Sequence, residues 1–568
     1  MYRTISDKSI KLLNFNVYTQ VFEHNYCREL DKIVPFMIKS TVDPACTGLF
    51  SALFLDYIKK EETLTQFYQE FPEIGRFGRV LENKSFSETR RQLLVEALEE
   101  QYAGYEDSPV AQNINRLKEP RTFTVTTGHQ LNLMTGPSFF IYKIVSTVLL
   151  AEKIQKTYPD YRIVPLYWMA TEDHDFEEIN HFYFDGKRYA WDTDQTGPVG
   201  EFLLDDSLKA LVKEWDFLPE FFKEAYTSST QLKEAVRKYV HHLFADKGLV
   251  ILDANHPGLK RSFLPQIKTD IFSQQANGLV NESNQALEEA GYKTQVFPRE
   301  INFFYMEPGR RDRLVLQNDR FRTQDGKNEW SFVEMEALLE THPERFSPNV
   351  VMRPLYQEVL LPNLAYLGGP AEVAYWFQLK KVFDHYTVDF PFLLPRNFAM
   401  IIPRQIERKI NKLGLKPEEL FQHVDRLRID YTLKNASEDV SLQREREQLN
   451  QLFVSLENRG FGLSPGLGQA VKAAFTRSEK ILNQVAVKFR KAEERKQVDA
   501  IRQLYEVKDF LFPNGTLQER RVNFLEYYLA NPDFINELFG QFDPLDFNFV
   551  ILWENGGEGT TQEKVQGR

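Results

Sequence analysis

Thr122-Phe123-Thr124-Val125-Thr126 runs straight into Thr127-Gly128-His129-Gln130-Leu131-Asn132-Leu133-Met134-Thr135-Gly136-Pro137. From Ser138 to Lys156 the chain then turns apolar almost all round, through Phe139, Phe140, Ile141, Ile144, Val145, Val148 and Leu149. Arg162-Ile163-Val164-Pro165-Leu166-Tyr167-Trp168-Met169 follows as a second β-rich run. Strand, helix and strand in so short a span form a βαβ unit, whose parallel strands need a crossover and whose hand is right-handed in nearly all cases. A crossover helix without a polar face must be covered on several sides, which predicts an α/β protein with a buried parallel sheet.

Leu249 to Leu252 and Asn349 to Met352 are further strand candidates, and short β-rich runs alternate with helical patterns up to residue 404. Residues 405–512 lose the strands and become charge-laced and helical. Leu442, Leu449, Leu452 and Leu456 recur at spacings of seven, three and four, Gly460 stands where a helix-ending residue would, and Ser464-Pro465-Gly466 supplies a turn. Phe475, Leu482, Val485, Phe489 and Ala492 repeat the pattern, which predicts an antiparallel helical hairpin, a device for dimerisation or docking rather than catalysis. Residues 513–568 hold a Pro-Asn-Gly turn, an aromatic helix from Val522 to Leu529 and a strand-like run from Phe547 to Trp553. They are expected to return onto the first region and to end, from Glu554 onward, in a disordered tail.

With 568 residues, 42% hydrophobic and 14% aromatic, the chain carries far more apolar surface than a disordered one. Its 70 basic and 81 acidic residues leave a net charge of −11, which argues against a nucleic-acid partner, since such binding draws on concentrated positive charge. Cys27 and Cys46 allow at most one disulfide and no thiolate zinc site, as in a reducing compartment. The N-terminus lacks the apolar core of a signal peptide and no stretch reaches the ~18 apolar residues of a membrane span, so a cytoplasmic protein with no membrane partner is expected.

Three clusters could carry chemistry. In the first, Gly128 and Gly136 allow close backbone approach, Pro137 suits a first helical turn, and His129 and Gln130 add donors at a helix N-terminus, the makings of an anion pocket. A plain glycine-requiring turn is the competing reading. The second is Thr171-Glu172-Asp173-His174-Asp175-Phe176-Glu177-Glu178. Its clustered carboxylates would raise one another and supply a general base. With His181 they could instead hold a divalent metal, and Glu177 and Glu178 could simply serve a helix dipole. The third runs from Ser347 through Arg353 to Gly368-Gly369-Pro370-Ala371-Glu372, with a second glycine loop entering a helix and with Arg353 and Arg396 as strand-end guanidiniums suited to an anionic substrate. His241-His242 and Arg310-Arg311-Asp312-Arg313 are assigned no site, the latter read as a solvated turn.

In this order, Thr127-Gly128-His129-Gln130 with Thr135-Gly136-Pro137, Glu172-Asp173-His174-Asp175-Phe176, and Ser347-Pro348-Asn349 through Arg353-Pro354 to Gly368-Gly369-Pro370-Ala371-Glu372 resemble the bacillithiol biosynthesis cysteine-adding enzyme family. The helical hairpin and Leu511-Phe512-Pro513-Asn514-Gly515 extend the resemblance over nearly the whole chain. It implies a Rossmann-like, nucleotidyltransferase-type core with connective insertions at about residues 183–346, and a coiled-coil domain that makes a homodimer. It also implies a ligase forming a carbon–nitrogen amide bond, joining L-cysteine to the amino group of glucosaminyl malate in the last step of bacillithiol biosynthesis. The His-Ile-Gly-His signature of the wider nucleotidyltransferase group is absent, and Gly128-His129-Gln130 occupies its turn.

An amide made from a free carboxylate needs that carboxylate activated, for which ATP, with or without Mg²⁺, is the expected cofactor. On this reading His129, Asp173, His174 and Asp175 are catalytic, and Thr127, Gly128, Gln130, Asn132, Gly136 and Lys143 hold the nucleotide. Glu172, Arg353, Gln357, Asn363, Gly368, Gly369, Glu372 and Arg396 hold the substrates, and no metal ligand is assigned. A metal-dependent hydrolase acting on an amidated sugar and a non-catalytic nucleotide-binding scaffold are the alternatives.

Overall fold

The computed structural model describes residues 37–105 and 108–554. The readings of the N-terminus, of Cys27 and of residues 555–568 lie outside them.

The core is a five-stranded, all-parallel sheet of β1 (Thr122–His129), β2 (Arg162–Met169), β3 (Val250–Asp253), β4 (Asn363–Gly368) and β5 (Phe392–Pro395), in the order β5-β4-β1-β2-β3. Phe139–Thr157 is the crossover helix from β1 to β2 and buries Phe140, Ile141, Ile144, Val145 and Val148 completely or nearly so. Each such side chain contributes about 1.5–3 kcal/mol on burial, which is why this helix has no polar face. The chain builds β1, β2 and β3 to one side, then crosses back to place β4 on the other side of β1. That reversal makes a topological switch point between β1 and β4, where α/β sheets open a crevice at the carboxyl ends of their strands.

One strand expectation needs correction, and one strand is additional to those expected. Asn349 to Met352 is not a strand, because the Asn349 side chain accepts from the N–H groups of Val351 (2.8 Å) and Met352 (3.3 Å) and so starts the helix Met352–Leu360. Arg353 therefore stands in a first helical turn rather than at a strand end. The strand that was missed is β4, and it supplies the run into Gly368-Gly369. The insertion at 183–346 is also not one block, since β3 lies inside it and joins the core. The rest includes a hairpin, His181–Phe184 with Lys187–Ala190, and an antiparallel sheet. That sheet contains Phe303–Glu307, Arg310–Gln317 and Phe346–Pro348, so Arg310 to Arg313 is a strand and not a solvated turn.

Beyond the core, Phe549–Glu554 pairs antiparallel with Met37–Val42 and parallel with Phe398–Ile402. Of the expected helix at Val522 to Leu529 only Leu525–Tyr528 is helical, because Asn523 caps it through Leu525 N–H (3.0 Å). The helical hairpin is Gln443–Leu463 and Pro465–Lys496, turned at Ser464, whose hydroxyl accepts from Leu467 N–H (3.2 Å). Gly460 does not end the first helix. A Cβ there would meet the Gly468 backbone at 3.2 Å, so this glycine lets the two helices approach. The helices touch through Phe453 and Phe475 (5.5 Å), whereas Leu442 caps the first helix and Leu452 remains 56% exposed, outside the seam.

Candidate functional site

A cavity of about 700 Å³ opens at the switch point. It brings together Gly128, His129, Gln130 and Lys143 from the first cluster and Glu172, Asp173, His174 and Asp175 from the second. Arg353, Gly369, Glu372 and Arg396 complete its wall from the third. Asn132 lines a smaller adjoining cavity of about 230 Å³, which shares His129 and Gln130. Thr127, Gly136, Gln357, Asn363 and Gly368 line neither.

The first bend differs from a helix-terminus anion pocket. Ser138 donates its N–H (2.8 Å) and its hydroxyl (2.6 Å) to the Val522 carbonyl, and Asn523 holds the carbonyls of Met134 (2.7 Å) and Gly136 (2.6 Å). The Ser138 N–H is thus taken by the C-terminal return, and Gly136 serves the turn, with φ +65° and a would-be Cβ 2.7 Å from Asn132. Gly128 keeps the cavity open, since a Cβ there would lie 3.2 Å from the Tyr366 hydroxyl. Thr127 bonds across the sheet to the Leu367 carbonyl (2.8 Å).

His129 stacks near Phe140 (4.9 Å), and its Nε2 is buried without a partner. Burial, aided by the nearby Lys143 charge, pushes the imidazole down to about 3, so at neutral pH the His129 ring is uncharged. Lys143 is buried. Its ammonium is held by the Gly128 carbonyl (2.9 Å) and the Glu372 carboxylate (2.5 Å), so it fixes the two glycine loops to each other rather than reaching out to a phosphate. Burial would raise Glu372, but Lys143, the Gly369 N–H (2.6 Å) and the Tyr366 hydroxyl (2.8 Å) together hold it down at about 2.

The second cluster is partitioned rather than a free knot of carboxylates. Glu172 pairs with Lys260 (2.8 Å), a fully buried lysine that also donates to the Phe346 carbonyl (2.8 Å). Asp173 accepts from Gln130 Nε2 (2.8 Å) and from the His174 N–H (2.8 Å). His174 Nδ1 lies 2.7 Å from Arg311 Nη1, and Asp175 stands beyond the ring at 4.0 Å from Nε2. Asp173, His174 and Asp175 present ligand atoms within 4.8 Å of one another, and the Arg311 guanidinium, against His174 Nδ1, sets a positive charge beside them.

Arg353 donates Nη1 to Gln357 (3.1 Å), lies 5.5 Å over the Tyr366 ring and has its Nη2 buried without a partner. Gln357 thus aims Arg353 instead of meeting a ligand. Asn363 is likewise internal, accepting from Thr124 (3.1 Å) and Thr126 (2.8 Å) and donating to Glu358 (2.7 Å). Arg396 faces the cavity but is not a free anion receptor, because the buried Glu519 accepts from both its Nη1 (3.0 Å) and its Nη2 (2.5 Å).

Burial pushes Glu358 up from an ordinary 4.5 to about 7, which Lys84, Gln357 and Asn363 only partly offset. A carboxyl raised in the folded state keeps a proton that the unfolded chain releases, so its contribution to stability falls as pH rises from about 4.5 to about 7. Glu358→Gln, an isostere of the protonated acid, is therefore expected to stabilise the protein at pH 8 by up to about 3 kcal/mol and to change little at pH 4, read by urea denaturation at both pH values. Equal effects at the two pH values would refute this.

Lys260 and Arg311 also hold the second cluster, on Glu172 and His174, and neither is marked by the sequence. Lys260 carries no local signal, and Arg311 lay in a charge run that only strand pairing turns toward the cavity.

A Rossmann-like parallel sheet with a charged cavity at its switch point defines an α/β protein of the class whose ligand crevice lies at the carboxyl ends of the strands. The chain belongs to the bacillithiol biosynthesis BshC family. Residues 37–397 match its N-terminal Rossmann-like domain and residues 399–554 its C-terminal coiled-coil domain. Similar proteins described as "Putative cysteine ligase BshC" come from Flavobacterium psychrophilum, 39% identical over 89% of this chain and 98% of the relative, and Cytophaga hutchinsonii, 39% identical over 88% and 96%. A relative from Chlorobaculum tepidum with the same description is 29% identical over 86% of this chain and 94% of its own. Among the described residues no helix is long and apolar enough to cross a membrane.

Proposed function

We propose that this protein is a ligase that joins the carboxyl group of L-cysteine to the amino group of glucosaminyl malate, the last step of bacillithiol biosynthesis, with ATP as co-substrate. The observation that carries this reading is the single cavity lined by Asp173 and Asp175 and also by His129 and Arg353, whose buried Nε2 and Nη2 lack partners and, with the His129 proton on Nε2, are both donors. Such donors suit an anion, whether a phosphate oxygen or a carboxylate, and the carboxylates opposite suit an ammonium. ATP supplies the activation by converting the cysteine carboxylate to an acyl phosphate or acyl adenylate. Asp173 or Asp175 takes a proton from the sugar ammonium, the free amine attacks the activated carbonyl carbon, the donor pair holds the charge that develops on the carbonyl oxygen, and phosphate or AMP leaves. The coiled coil, with Leu452 left outside its seam, serves as the dimer contact.

The test is an assay of purified protein with glucosaminyl malate, cysteine and ATP. Formation of a thiol-bearing amide with matching nucleotide consumption is expected, and ADP against AMP in the products distinguishes the two activated forms. No product and no nucleotide turnover under any condition would sink the reading.

A further inference from the structure

Arg311, on the strand Arg310–Gln317 of the insertion, spends its guanidinium on four contacts. Nε donates to Ser347 Oγ (3.1 Å), Nη2 to the Pro348 carbonyl (3.2 Å) and Nη1 to His174 Nδ1 (2.7 Å), while the plane lies 3.9 Å over the Phe304 ring. A guanidinium can only donate, so the imidazole nitrogen it meets must carry a lone pair. The proton of the His174 ring then sits on Nε2, the nitrogen turned toward Asp175. A histidine whose tautomer is set by the partner of its other nitrogen is a common device of reactive sites.

We propose that Arg311 is a positioning residue that fixes His174 as the Nε2–H tautomer, so that His174 offers the substrate a hydrogen-bond donor and leaves proton acceptance to Asp173 or Asp175. Protonating Nδ1 would set one donor against another and break the 2.7 Å contact. The groups around the ring agree. Asp173, 3.8 Å from Nδ1, is already oriented by Gln130 and the His174 N–H, Glu172 is committed to Lys260, and the insertion sheet presents Arg311 and Phe304 (5.7 Å) to the imidazole. Through Arg311 the insertion sheet reaches across 137 residues of sequence to set the chemistry of a loop at the end of β2. Only the assignment of the transferred proton to the amine substrate rests on the ligase reading. The tautomer does not.

The test is the nitrogen spectrum of the histidine side chains in the full-length, uniformly labelled protein at neutral pH, with the His174 signals identified by their loss in His174→Gln. A pyridine-type Nδ1 and a pyrrole-type Nε2 are expected. The reverse tautomer, or an exchanging mixture, overturns the proposal without any variant of Arg311. In Arg311→Met a shift to a mixture is expected together with a lower kcat, and Arg311→Lys should recover the tautomer only in part. A folded Arg311→Met protein with an unchanged His174 spectrum would also overturn it. If the expected tautomer is found but no amide is formed in the assay, the ligase reading fails alone.

Discussion

Asp173→Asn is expected to lower turnover about 10²–10⁴-fold, the usual worth of a positioned general base, while leaving the circular dichroism spectrum and the unfolding midpoint nearly unchanged. Asparagine is the informative replacement because it keeps an oxygen where Asp173 accepts the His174 N–H (2.8 Å), so the loop stays in place. What it loses is the capacity to take a proton, and its amide group would face the Gln130 donor (2.8 Å in the native contact). Steady-state kinetics with cysteine, glucosaminyl malate and ATP check this. A fall in kcat without a matching rise in KM is the pattern of an interaction made in the transition state. Turnover equal to that of the unaltered protein would remove Asp173 from the chemistry and leave Asp175 as the base.

Glu519→Ala is expected to cost about 3–5 kcal/mol of stability, the range for stranding one partner of a buried ion pair. The Arg396 and Glu519 side chains are 1% and 2% exposed, so water cannot replace the lost carboxylate. Glu519 also accepts the Ala399 N–H (2.9 Å), which makes it a clamp between the C-terminal return and the segment following β5. Urea denaturation measures the loss. Replacing both partners, Arg396→Met with Glu519→Leu, should recover most of it, since burying neither charge avoids the desolvation cost of burying one. A double variant no more stable than Glu519→Ala alone would show that the clamp acts through something other than its charge.

The legible parts of the site share one property, which is that their signal is local. β1 and β2 declared themselves through β-branched and aromatic runs, the crossover helix through an unbroken apolar surface, and the acid–histidine cluster through composition. The failures were also physical. Val350-Val351-Met352 has strand-like side chains, but the Asn349 carboxamide claims two backbone N–H groups and starts a helix. β4, buried on both faces, lacks the alternation that marks a half-exposed strand. Phe475 stands in the seam as its spacing predicts, but its partner is Phe453, which the leucine spacing passes over, and two glycines let the helices close.

By itself the sequence determined the parallel α/β core, the helical hairpin and the two loops that would carry donors and carboxylates, because each depends on residues close together along the chain. Only the tertiary structure decided which of those groups are free to act. Lys143 and Arg396 looked available and are neutralised by Glu372 and Glu519, while Arg311 looked like solvated charge and holds His174. The reason is that a charged side chain's role depends on its counter-charge and its burial. Both come from strands and loops brought together across the switch point, which spacing along the chain does not encode.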